Sequence, residues 1–397
     1  MPVFALEPKQ QEWCAQLREL AGSRLRPLAE SGEPGRVNRA LLADLGELGL
    51  LARAVVASSP SRSGAGHQAE RALELCLLRE SLAYACPEAE TALALQGLGT
   101  GPVAAAGTGE QRGRWLRAAA EGRAVAAFAL SEPGAGSDAA ALALRAEPDG
   151  PATDGPGPAT DGPGPASWRL TGTKTWISNA PEADFYCVFA RTGEEAGSRG
   201  ITAFLVPADR PGLSGEHLDM LSPHPIGTLT FDGVPVTRAD LIGQPGGGFG
   251  IAMRTLNLFR PSVGAFAVGM AQAALDASLE HAGRRPAFGG VLRDLQSVSH
   301  QLAEMATRTE AARLMVYAAA AAYDRGDEGI ARRSAMAKLL ATETAQYVVD
   351  AAVQIHGAEG LRRGHLLEHL YREVRAPRIY EGASELQRTV IAKELYT

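Results

Sequence analysis

Glu381 and Glu385 stand four residues apart in the run RIYEGASELQ, 378–387, close to the C-terminus. A carboxylate drawn out of water becomes a proton acceptor of useful strength, while one left on a wet helix end is only a solvated charge. Gly382 lets the backbone beside Glu381 approach a ligand closely. Glu385 opens a run with helical spacing. On the residues alone, Glu381 reads either as a base or as a solvated charge, and Glu385 reads as the latter.

Two further clusters carry chemistry. In FALSEPGAGSD, 128–138, Pro133, Gly134 and Gly136 force a turn that exposes backbone N–H groups, and Ser131 and Ser137 add hydroxyls. Such a loop can cradle a phosphate or bond a polar ring edge; taken alone it reads first as a plain β-turn. It is no dinucleotide fingerprint, since GxGxxG is missing, and GQPGGGFG at 243–250 lacks the GK[ST] of a P-loop and reads as a linking turn. In LTGTKTWISNA, 170–180, Trp176 with Ile177 and Ser178 offers an indole face and a hydroxyl to a flat ligand; alone, it reads as a half-buried core tryptophan.

The elements that must position these residues follow from composition and period. A chain of 397 residues is too long for one ordinary core, so two or three domains are expected. Aromatics are few, at 6%, and Ala and Gly are abundant, which suits closely packed helices. The net charge of −6 argues against a nucleic-acid or anionic-membrane partner, whose contacts need clustered Lys and Arg. Cys14, Cys76, Cys86 and Cys187 form neither a CxxC pair nor a Cys/His ligand spacing, so no metal site or disulfide framework is indicated, and a cytoplasmic setting is expected. MPVFALEPKQ has no signal or transit pattern, and no stretch of about 18 uncharged apolar residues predicts a membrane span.

Apolar groups recur at i, i+3, i+4 and i+7 in QEWCAQLREL, RALLADLGELGLLA and ERALELCLLRESLAYA, which predicts helices. AVAAFAL, SWRLTGTKTWIS, DFYCVFAR, ITAFLVPA and GTLTFDGVPV are short β-prone runs punctuated by Gly, Pro and Asp. VSHQLAEMATRTEAARLMVYAAAAAYD and SAMAKLLATETAQYVVDAAVQIHG return to the helical period and are long enough for a bundle. The fold class is therefore α+β: an N-terminal helical domain over 1–124, a middle β-barrel or sandwich over 125–240 and a C-terminal four-helix bundle over 241–397. ATDGPGP occurs twice, at 152–158 and 159–165, and reads as an exposed expansion of a hairpin loop.

Together the clusters closely resemble the acyl-CoA dehydrogenase family, through nearly the whole chain. The family's TEPGAGSD appears as SEPGAGSD, its GTKxWITN as GTKTWISN, its RxxFG as RPAFG at 285–289, its QIxGGxG as QIHGAEG at 354–360 and its IYEGTxxxQ as IYEGASELQ. The resemblance implies FAD-dependent α,β-dehydrogenation of an acyl thioester, the α-proton going to a Glu base and the β-hydride to flavin N5. It implies Glu381 as that base, because IYEG matches the base position and the alternative location, just before the Arg of the LDxxR helix, holds Phe259. It implies cofactor contacts at Phe128, Leu130, Ser131, Gly136, Ser137, Trp176, Ile177 and Ser178. Arg285, Phe288, Gln296, Gln354, Gly357, Ala383 and Glu385 match further cofactor positions, several reaching the FAD of a neighbouring subunit. Ser137, Asn257, Arg260 and Gly382 match the substrate side. A homo-oligomer, tetramer or dimer, and an electron-transferring flavoprotein partner follow from the same resemblance.

The sequence departs from the family pattern at several positions. Ala383 replaces a Thr whose hydroxyl contacts FAD, with Ser384 the neighbouring hydroxyl that could substitute. Asn257 replaces Asp in LNLFR, Ala358 replaces Gly, Ser222 stands where Arg or Lys is usual, and ASSPSRSGAG at 57–66 replaces PEEYGGxG. A short, branched or cyclic acyl group is expected, carried by CoA or by a carrier protein. A related flavin oxidase, and a catalytically silent scaffold or DNA-associated relative, are the competing readings.

Overall fold

The computed structural model describes residues 6–57, 71–149, 167–193, 195 and 197–396; the stretch beyond Ala57 that departs from the family pattern and both ATDGPGP heptads lie outside the described residues. The chain forms two compact units, one comprising Ser31–Arg62 and Thr91–Leu256, the other Met1–Glu30, Ser63–Glu90 and Asn257–Thr397.

In the first unit the β-prone runs form one sheet from β1 (Ala126–Ala129), β2 (Arg145–Pro148), β3 (Ser167–Ser178), β4 (Phe185–Arg191), β5 (Ile201–Pro207), β6 (Leu213–His217), β7 (Ile226–Thr237) and β8 (Leu241–Ile242). The order is β6-β7-β3-β2-β4-β5-β8, with β1 paired parallel to β4. β2 meets β4 at a single residue pair, Arg145 with Arg191, so two four-stranded runs are joined at one point. β4 and β5 are buried on both faces, which explains why they read as continuous apolar runs rather than alternating ones. Phe185, Cys187 and Phe189 of β4 pack in a core with Val103, Ile242 and Ile251. Gln96, fully buried, fixes β1: its amide donates to the Ala124 carbonyl and its Oε1 accepts from Ala126 N, both at 2.7 Å.

In the second unit the helices Pro8–Leu20, Arg71–Ala85, Gln296–Arg325, Ile330–His356 and Ser384–Glu394 pack with the part of Gly248–Arg284 beyond Asn257. Small residues allow close crossings. A Cβ on Gly264 would lie 2.7 Å from Val316 and 3.3 Å from the Ala337 carbonyl, so bulk there would part three helices. Glu80, 2% exposed, is neutralised by Arg313 at 2.9 Å and bonded by the Tyr317 hydroxyl at 2.8 Å, satisfying a charge that would otherwise be costly. The Gly248–Arg284 helix is long and apolar enough by composition to cross a membrane, and its apolar window is 78% buried, as in a core helix.

The α-then-β-then-α order is observed. RALLADLGELGLLA, one periodic run in sequence, divides into the helices Arg39–Glu47 and Leu50–Ala57 because Gly49 takes φ +71° between them.

Candidate active site

The chain between the Ala376–Arg378 turn and the Ser384–Glu394 helix holds Glu381 at φ +51° and Gly382 at φ +96°. A left-handed Glu is uncommon and persists only where its surroundings over-determine it. Here donors from different helices converge on two successive carbonyls. Lys338 Nζ donates to Gly382 O at 2.7 Å. Gln387 Nε2 donates to Gly382 O at 2.8 Å and Glu381 O at 3.2 Å, and Arg260 Nε to Glu381 O at 3.3 Å. The backbone angle demands glycine at 382, and a Cβ there would lie 2.5 Å from Gln387 Nε2 and displace the amide that bonds this turn.

The carboxylate held by this turn is unusual. Glu381 Oε2 is buried and has no hydrogen-bond partner. Burial pushes its proton affinity above the ordinary carboxylate range, against the charges of Arg79, Lys338 and Arg260. These cations are themselves buried, at 2%, 0% and 6% exposure respectively. Burial lowers Lys338 to about 8 although the Glu381 charge opposes that shift. Arg260 is lowered for the same reason, and its NH1 donates to Asn257 Oδ1 at 2.9 Å. Arg79 is raised instead: burial works against its charge, but Glu90 and Glu381 more than offset it. Arg79 pairs with Glu90 through Nε and donates from NH1 to Ser262 Oγ at 2.6 Å. An orphaned carboxylate oxygen with raised proton affinity, ringed by cations that stabilise its charged form, is suited to taking a proton from a bound carbon acid.

Of the residues in this cluster, the sequence pattern singles out Glu381, Gly382, Asn257 and Arg260 but not Arg79, Lys338, Glu90 and Gln387. The signal was readable for two of these. Lys338 lies on the buried stripe of Ala335, Ala341 and Ala345, and Arg79 among Leu75, Cys76, Leu82 and Ala83. A cation on an apolar helix stripe needs a partner. Phe259, with no exposed surface, sits in the core. Ser384 does not offer a free hydroxyl in place of the missing Thr: it is 3% exposed and its Oγ bonds Glu343 Oε1 at 2.5 Å. Ala383 takes the N-cap position of the last helix, and Glu385 is exposed in that helix's first turn, 3.9 Å from Arg388.

The β unit brings the other two motifs together. Lys174 Nζ, fully buried, pairs with Glu132 Oε1 at 2.8 Å and donates to Leu130 O at 2.9 Å. Glu132 also accepts from Ala143 N and Leu144 N. Thr175 N donates to Ser131 O at 3.1 Å, so SEPGAGSD and GTKTWIS are laced side by side. One extra residue in β3 between Lys174 and Ile177, opposite Leu229 and Gly227 of β7, makes a bulge. The bulge sets Trp176 at φ +59° with 56% of its surface exposed. Gly136 and Ser137 are exposed on the neighbouring loop, and Ser131 and Ser178 are half-buried. Phe128 packs on Phe189 at 5.0 Å between ring centres, while Leu130 and Ile177 are buried in the core.

Arg285, Phe288, Gln296, Gln354 and Gly357 are all exposed. Phe288 is 92% exposed at φ +49° beside a two-residue ladder, Pro286–Ala287 with Gly290–Val291. Stacked rings of His281 and His356, 4.1 Å between centres, bring the Arg285 corner to the Gln354–Gly357 turn. Among the described residues, non-glycine positive φ occurs at Trp176, Asn179, Phe288 and Glu381, and all four lie in the quoted motifs.

Family models describe nearly the whole chain: the acyl-CoA dehydrogenase N-terminal domain matches residues 7–123, the middle domain 127–234 and the C-terminal domain 246–396. The chain belongs to the acyl-CoA dehydrogenase family. It is 38% identical over 383 residues to the mitochondrial short-chain specific acyl-CoA dehydrogenase of Bos taurus, covering 95% of this chain and 88% of that one. It is 33% identical to the cyclohexane-1-carbonyl-CoA dehydrogenase of Geobacter metallireducens, over 96% of this chain and 95% of the relative. The solved butyryl-CoA dehydrogenase of Megasphaera elsdenii aligns with a TM-score of 0.87 at 31% identity, covering 100% of both chains. As an acyl-CoA dehydrogenase the chain is an oxidoreductase acting on CH–CH bonds. The family depends on FAD, and the residues present fit that group: an indole turned outward by a bulge, beside an exposed loop with open space above Gly134 and Gly136, suits a flat ring carrying phosphates.

Proposed function

We propose that the chain desaturates a short acyl thioester, with Glu381 taking the α-proton. The observation that carries this reading is the buried, unpartnered Glu381 oxygen held in a left-handed turn among three buried cations. Bound FAD supplies the acceptor for the β-hydride. Trp176, Ser178 and the Phe128–Ser137 segment are assigned to one face of its site. Arg285, whose guanidinium suits a pyrophosphate, joins Phe288, Gln296, Gln354 and Gly357 as contacts made in a homo-oligomer, and Ala383 and Glu385 are assigned to the cofactor without that condition.

Glu381 does the proton chemistry. An apolar acyl group that expels water raises its proton affinity further, at the expense of substrate binding energy. The charges of Arg79, Lys338 and Arg260 work against that rise. Asn257, Arg260, Gly382 and Ser137 are assigned to the substrate side. A short acyl group is favoured by what the bovine and Megasphaera relatives act on, and a ring by the Geobacter relative.

The test is an anaerobic titration of the purified yellow protein with straight, branched and cyclic acyl-CoAs and an acyl-carrier thioester, followed by reoxidation. Short or cyclic acyl-CoA should bleach the flavin absorbance, and an electron-transferring flavoprotein should restore it faster than oxygen does. A protein without flavin that cannot be reconstituted with FAD, or no bleaching by any thioester, would overturn the proposal.

A further inference from the structure

The Arg79–Glu90 pair is not needed to hold the Glu381 turn, because Lys338, Gln387 and Arg260 already bond its carbonyls. Yet Arg79 NH1 bonds Ser262, two residues along the helix from the Arg260 whose Nε donates to Glu381 O at 3.3 Å, and its charge favours the ionised form of Glu381. Arg79 comes from the Arg71–Ala85 helix and Glu90 from the Pro87–Ala106 helix, and they are 2% and 1% exposed. Replacing such a buried pair by apolar residues is often neutral or stabilising, so stability alone is a poor reason for its presence. A second bond, Arg79 NH1 to Ser262 Oγ at 2.6 Å, fixes the guanidinium to the helix that carries Arg260.

We infer that Arg79 and Glu90 are an opposed pair that tunes the basicity of Glu381, Arg79 acting as a positioning residue through its charge and Glu90 limiting that charge. The inference rests on the reading of Glu381 as the base. Arg79 favours the carboxylate form; Glu90 prevents the carboxylate from becoming too weak an acceptor. The other groups facing the site are Lys338 and Arg260 around Glu381, Tyr380 beside it and within reach of Arg79 and Glu90, Glu373 near Tyr380, and Glu343 and Glu385 acting on Lys338. These remain constant across the variants below.

The experiment compares Arg79→Met, Glu90→Gln and the double variant Arg79→Met/Glu90→Leu as holoenzymes. It reads the acid limb of kcat/KM against pH and, independently, the infrared titration of the protonated Glu381 carboxyl, assigned by its loss in Glu381→Gln. An opposite charge within a few ångströms lowers a carboxylate by about 1–3 pH units. Arg79→Met should therefore move both readouts up, and Glu90→Gln should move both down. The double variant, which leaves no unpaired buried charge and guards against misfolding of the single ones, should shift up by less than Arg79→Met. Coincident titrations, or shifts of the same sign in Arg79→Met and Glu90→Gln, would overturn the inference. If the infrared titrations shift as stated while Glu381→Gln still reduces flavin, the tuning stands and the assignment of the base fails.

Discussion

Lys338, with no exposed surface, donates a 2.7 Å hydrogen bond to the carbonyl of Gly382, one residue beyond Glu381. The bond ties the Ile330–His356 helix to the left-handed turn and places a cation near the carboxylate. Lys338→Met removes both. Losing a charge-assisted bond and leaving a carbonyl under-satisfied costs about 1–3 kcal/mol, so kcat should fall roughly 10- to 100-fold if the turn loosens. FAD content should stay stoichiometric. Steady-state turnover near wild type would show that Gln387 and Arg260 hold the turn unaided.

Glu381→Gln should stabilise the fold at neutral pH. Burial raises the proton affinity of Glu381 in the folded state. The stability contributed by such a group is fully present below its unfolded value, near ~4.3, and is lost as pH rises through the folded value. Above both, wild type bears the cost of a buried charge that Gln lacks. Thermal melts across this range should show the variant melting higher at pH about 8, with the gap closing below pH about 4. A variant less stable at every pH would mean that the surrounding cations need the carboxylate charge more than burial opposes it.

The Lys174–Glu132 pair is a joint between two motifs, and breaking it should be felt in both. Lys174→Met leaves Glu132 buried with only its backbone donors, Ala143 N and Leu144 N. Removing one partner of a buried pair costs about 3–5 kcal/mol. Urea unfolding should show a loss of that order, accompanied by weaker FAD retention. Glu132→Gln in the same chain should recover part of it. Unchanged FAD binding in Lys174→Met would separate the joint from the cofactor site.

How much of this was legible differs between elements. The β3 run SWRLTGTKTWIS was readable to its ends because turn formers bound it, and it is observed as Ser167–Ser178. β2, β6 and β8, at four, five and two residues, carry too little pattern to stand out from loop. Glu381 and Trp176 were legible through their motifs, but their left-handed backbone was not, since it comes from a bulge and from converging donors elsewhere in the chain. Arg79 and Glu90 carry no motif, and their pairing depends on how two helices pack. Sequence spacing places residues on a helix face; it does not name what that face meets.

The two ATDGPGP heptads should be dispensable. The strands on either side already pair, Pro148 with Trp168, and Asp149 N donates to Ser167 O at 3.0 Å, so the hairpin is closed before the heptads begin. Shortening a loop at a closed hairpin changes closure entropy by only about 0.6 kcal/mol per halving. Deletion of one or both heptads should leave kcat and KM within a few-fold. A large rise in KM would assign the segment to the substrate site.

The central claim is that Glu381 takes the α-proton, and rapid mixing of Glu381→Gln with a short acyl-CoA under anaerobic conditions tests it most directly. Gln keeps shape and polarity and removes the base. General-base catalysis is typically worth about 10²–10⁴, and Glu385, the nearest carboxylate in the motif, is exposed in the first turn of the last helix. The account expects the variant to hold FAD and bind thioester while flavin bleaching slows by about 10⁴-fold or more. Bleaching at a rate near wild type would contradict it, and Glu385 would then be the residue to examine.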